Sequence, residues 1–95
     1  MNKLSIYKYL DLSKAHITPE TDEFLRKEAH KDFAEVIVYE KEYGYFVCVP
    51  PDGFDCYNIP DDLRNCIEFA KENDCNWIII DRDAEIIDEL KTYEW

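Results

Sequence analysis

The 95-residue sequence predicts a small single-domain α+β sandwich, an antiparallel sheet with two helices on one face in the βαββαβ order of a ferredoxin-like split unit. Three observations predict it. The runs EVIVY at 35–39, YFVCV at 45–49 and WIIID at 77–81 are rich in β-branched and aromatic residues and read as strands. Between the last two, Leu63, Cys66, Ile67 and Ala70 recur at the spacing of one helical face. Hydrophobic residues make up 46% of the chain and glycine occurs only twice, so one core forms and little is left for linkers.

The first element is a strand over residues 3–12. Leu4, Ile6, Leu10 and Leu12 alternate with Lys3, Ser5, Tyr7, Tyr9 and Asp11, the period of a half-buried strand, and Lys8 alone breaks the apolar face. Thr18 before Pro19 reads as an N-cap and first helical residue, with Glu20, Asp22 and Glu23 at the positively polarised end of a helix over 19–29. His16 and His30 read as a turn residue and a partner for that helix's C-terminus. The strands at 35–39 and 45–49 form a hairpin joined by residues 40–44, and Pro50 and Pro51 end the second because neither can donate to a ladder. Residues 52–58 are a loop. Pro60, Asp61 and Asp62 begin the second helix, and Asn73 and Asp74 end it. Residues 77–81 are the strongest strand, followed by a turn at 82–84, a possible short strand at 85–87 and a tail over 88–95.

Composition excludes several classes. The longest apolar run begins at Trp77 and falls far short of the roughly 20 residues of a membrane helix, and no signal peptide is expected at residues 1–12. Cys48, Cys56, Cys66 and Cys75 form no Cys-x-x-Cys pair, which disfavours a zinc knuckle or a secreted disulfide scaffold and points to reduced thiols in the cytoplasm. The formal charge is −11, with a net −2 over residues 1–47 and −9 over residues 48–95. Such a chain repels phosphate, so direct nucleic-acid binding is disfavoured and a basic protein partner is favoured.

No residue set spells out a reaction. Cys48, His16 and Asp81 have the types of a nucleophile, base and orienting acid, but Cys48 lies mid-strand between valines, where small thiols pack. Asp81 and Asp83 flank Arg82 past a strand end, a place where magnesium is sometimes held, although a tight aspartate turn explains them as well. No catalytic residue, metal site or cofactor is assigned. The aromatic strand is more suggestive. On one face it carries Tyr43, Tyr45, Val47 and Val49, and on the other Gly44, Phe46 and Cys48. If helices cover one side, the other must meet the tail with Tyr93 and Trp95, the 52–58 loop with Phe54 and Tyr57, or another molecule, and the tail or loop is the expected cover.

The segments LDLSKAHIT at 10–18, YEKEYGYFVCVP at 39–50, IPDDLRNCIEFAKENDCNWIIIDRD at 59–83 and LKTYEW at 90–95 resemble a bacterial family of small acidic proteins, often carried on mobile elements and classed only as a domain of unknown function. Lys14 stands where that pattern has a small hydroxylated residue, and Ala84 where it has glycine. The resemblance implies a bacterial setting and no established activity. The expected function is a non-enzymatic cytosolic binding protein, an imitator of nucleic acid that inhibits a basic nucleic-acid-handling protein such as a CRISPR nuclease. Asp52, Asp55, Asp61, Asp62, Asp81, Asp83, Asp88 and Glu89 would supply the field, and Tyr43, Tyr45 and Phe54 the anchors. A homodimeric regulatory module joined through the aromatic strand, and a metal-assisted hydrolase using Asp81 and Asp83, are the alternatives.

Overall fold

A computed structural model of the protein describes residues 4, 6–31, 36–50 and 58–94. The elements run β1 (Tyr9–Ser13), a short 3-10 turn (Lys14–His16), α1 (Pro19–Glu28), β2 (Val38–Lys41), β3 (Gly44–Cys48), α2 (Asp61–Glu72) and β4 (Trp77–Asp81). This is the expected order of strands and helices. The sheet they build differs from the expected one. Its strand order is β1-β4-β3-β2, with β1 parallel to β4 and the other pairs antiparallel, so it is mixed rather than wholly antiparallel. A ferredoxin-like sheet would put β1 and β3 side by side in the centre. Here β4 takes that place, because Ile78 and Ile80 are buried completely and need a neighbour on each edge.

One face of the sheet is the core. Leu12, Ile78, Ile80, Tyr45, Val47 and Val38 point to it, and Leu25 of α1 and Leu63, Cys66, Ile67 and Ala70 of α2 close over them. Both helices therefore lie on the same side. Each fully buried leucine or isoleucine contributes about 1.5–3 kcal/mol to this layer. The segment 85–87 forms no strand, and β1 begins only at Tyr9, leaving Leu4 and Ile6 exposed.

The helix ends follow the sequence signals. Thr18 Oγ1 accepts the Thr21 amide, with Pro19 in the first turn, and α2 ends at Asn73 before Asp74 turns to a φ of 59°. The hairpin is tighter than expected. Lys41 pairs with Gly44 across Glu42 and Tyr43, and it is Tyr43, not the glycine, that adopts the left-handed φ of 66°. Gly44 lies inside β3 for another reason: a Cβ there would come within 1.8 Å of the Ile80 carbonyl oxygen on β4. Gly44→Ala is expected to cost about 1–3 kcal/mol in chemical denaturation, since backbone atoms of two central strands must separate to admit one methyl group.

Candidate interaction surface

The sheet face opposite the helices has no cover among the described residues. Cross-strand partners share a face, so the register Tyr9↔Trp77, Asp11↔Ile79, Ile79↔Phe46 and Phe46↔Tyr39 sets these side chains side by side on it. Tyr7, Tyr9, Tyr39, Phe46, Trp77 and Ile79 line a shallow cleft of about 290 Å³. Tyr7, Tyr9 and Tyr39 are 65%, 58% and 59% exposed. The Tyr39 and Trp77 rings are 6.1 Å apart at 32°, two inclined walls of the cleft. At one end Lys41 reaches across Gly44 to Asp81, Nζ to Oδ2 at 2.6 Å. Asp11 lies beside Ile79 and is exposed, with no base paired to it among the described residues.

The expected tail cover lies elsewhere. His16 is buried, accepts the Ile87 amide at Nε2 and donates from Nδ1 to the Lys91 carbonyl, and the Tyr93 amide bonds to the Ala15 carbonyl. His16, Lys91 and Tyr93, with Leu90, Asp62, Asn65 and Cys66, line a small pocket on the helix side. The tail thus closes over the end of the 3-10 turn and α2, which the reading of His16 as a turn residue missed. Burial beside Asp62 pushes the Cys66 thiol up to about 12, so it packs as a neutral group.

The expected acids separate into two kinds. Asp61, Asp83, Asp88 and Glu89 are exposed, as are Glu68, Glu72, Asp74 and Glu85. Those on α2 point away from the core, on the side opposite the aromatic face. Asp62, by contrast, is buried, accepting the Thr18 amide at 2.8 Å and the Thr21 hydroxyl at 2.7 Å, because it joins the start of α2 to the start of α1. Both Asp81 oxygens are engaged, by Lys41 and by the Asp83 amide, which makes it a turn-forming residue. Asp83 itself pairs with Arg82 at 3.6 Å.

Of the expected anchors, Tyr43 is exposed under the Arg82 guanidinium, 3.9 Å from its ring centre. Tyr45 is no anchor: it is 3% exposed, and its hydroxyl donates to Asp22 at 2.9 Å inside the core. Burial and that carboxylate raise its phenol to about 12. Asp52, Asp55 and Phe54, with Tyr57 and Trp95, lie outside the described residues. Nor are Cys48, His16 and Asp81 assembled, since Cys48 pairs with Trp77 at the start of β4, Asp81 is the last residue of that strand, and His16 is on the helix side. Among the described residues no cluster of three metal-ligating side chains occurs, and no helix is long and apolar enough to cross a membrane.

The chain belongs to the family described as "Family of unknown function (DUF5983) C-terminal domain", whose model matches residues 9–95. No curated protein and no solved structure matches it.

Asp62→Ala is expected to cost about 2–4 kcal/mol in urea denaturation, because the Thr18 amide and Thr21 hydroxyl lose their acceptor, whereas Asp61→Ala changes stability by less than about 0.5 kcal/mol. The Lys41 hydrogen bond, then the Asp83 amide, hold the Asp81 carboxyl below its ordinary value. Its contribution is therefore full above the ordinary aspartate range and is lost as pH falls through the lowered value. The stability of Lys41→Met, followed from pH 7 downward, should converge on that of the wild type over that interval.

Proposed function

For a member of a family with no assigned activity, we propose a non-enzymatic cytosolic binding protein that takes up a basic protein partner on the open face of its sheet. One observation carries the reading: an aromatic face with no cover among the described residues, in a chain whose net charge is −11. Contiguous exposed aromatic surface is interface material, and burying it against a partner supplies the affinity. The exposed acids of α2 and of residues 83–94 act at longer range. They draw a basic partner in and speed encounter, an effect that added salt screens. Proteins that handle nucleic acid present the basic grooves best suited to such a field, and occupying one would exclude phosphate. Inhibition of a basic nucleic-acid-handling protein is thus the role proposed.

The two features lie on different sides and separate in experiment. Capture from a nuclease-treated lysate of the cell of origin is expected to recover a basic protein with the wild type and to lose it with Tyr39→Glu/Phe46→Glu. Asp61→Lys/Glu68→Lys/Glu72→Lys should reduce recovery at low salt while leaving the remainder at high salt unchanged. Undiminished capture by the Tyr39→Glu/Phe46→Glu chain, or a partner held equally at all salt concentrations by the lysine variant and the wild type, would overturn the reading.

A further inference from the structure

The chemistry of the open face indicates what it holds. Resting on the reading of that face as the docking surface, we infer that its cleft seats a guanidinium side chain from an arginine-bearing segment of the partner, over the aromatic rings and beside Asp11.

Four observations converge on a cation. The walls are rings, and the faces of tyrosine and tryptophan rings carry the negative part of the quadrupole that attracts cations, arginine above all because its flat guanidinium stacks. Tyr39 and Trp77 stand at 32° with centres 6.1 Å apart, too close to admit a group between them, so they present a joint aromatic surface over which a planar group can lie. Asp11 supplies a carboxylate on the same face, next to Ile79 in the register. The nearby lysines do not neutralise it: Lys41 is bound to Asp81, and the Lys8 ammonium donates to the Asn73 carbonyl. The chain already makes this contact once, where Arg82 lies 3.9 Å from the centre of the Tyr43 ring.

Charge also decides between occupants. A second copy would bring another net charge of −11 against the same surface, whereas an arginine-rich segment is drawn to it. An anionic ligand would meet the face of Asp11 and the ring quadrupoles. An uncharged apolar segment would leave the Asp11 carboxylate unpaired in the interface.

The chain holds two tryptophans, so the 95-residue chain with Trp95→Phe leaves Trp77 as its only indole, directly on the cleft. Titration of this protein with a blocked tetra-arginine peptide is expected to change Trp77 emission saturably. The tetra-citrulline peptide, of the same shape without the charge, should leave the emission unchanged. Asp11→Asn should weaken the arginine peptide about fivefold at low salt, the effect of one screened carboxylate. Asp61→Lys/Glu68→Lys/Glu72→Lys should leave the size of the Trp77 change intact. Equal binding of the citrulline peptide would overturn the cation seat while keeping the docking face. Amide shifts confined to α2 and residues 83–94, with Trp77 silent, would place the arginines on the acidic side and overturn it too. Sedimentation revealing a dimer that Phe46→Glu abolishes would assign the face to a second copy.

Discussion

Asp62 is the residue on which the arrangement of layers turns. Its carboxylate is removed from water and satisfied by the first residues of α1, so the N-termini of the two helices are fixed to one another. A buried carboxylate is tolerated only with such partners, and these partners exist only when both helices lie over the same face of the sheet. Tyr45 extends the constraint. Its hydroxyl rises from β3 to Asp22 on α1, and Asp22 in turn holds Lys14 and Arg26 at 3.2 and 3.0 Å. Polar bonds, not only apolar contact, therefore decide which side of the sheet is covered.

With both helices committed to one side, the other side carries no cover among the described residues. Tyrosine suits that position, since its ring packs on its neighbours while its hydroxyl remains hydrated. The result is a molecule with two unlike surfaces. On the proposed reading, attraction over distance would belong to the outer side of α2 and the segment after β4, and close contact to the sheet. An encounter guided by the first and completed by the second would separate the rate of association from the strength of the final contact.

Local features of this fold were legible in the sequence and its long-range pairings were not. Thr18–Pro19 gave the start of α1 because capping acts within one turn, and WIIID gave β4 because a run of β-branched residues buried on a sheet needs no further context. The neighbour of β1 was not readable, since β1 pairs with a strand nearly the whole chain away. Gly44 suggested a turn, as glycine usually does, yet it serves the close approach of β3 to β4, a fact about a distant carbonyl. Tyr45 and Asp62 read as surface groups because a lone sequence cannot reveal that each finds a buried partner. The open face was half visible. Tyr7, Tyr9 and Asp11 had been placed on one side of β1 by alternation alone, and Phe46 on one side of β3, but joining them to Tyr39, Trp77 and Ile79 required the register.

The tail that folds back on His16 has a consequence for how the chain is made. β1 has no strand to pair with until β4 exists, and the buried imidazole keeps both nitrogens unsatisfied by protein until residues 87–91 arrive. On the ribosome, then, the first strand and its following turn must wait until residues 77–91 have left the exit tunnel. The hairpin of β2 and β3 is able to form earlier, but the domain closes only once β4 and residues 87–91 are available, as one event that joins segments far apart in sequence.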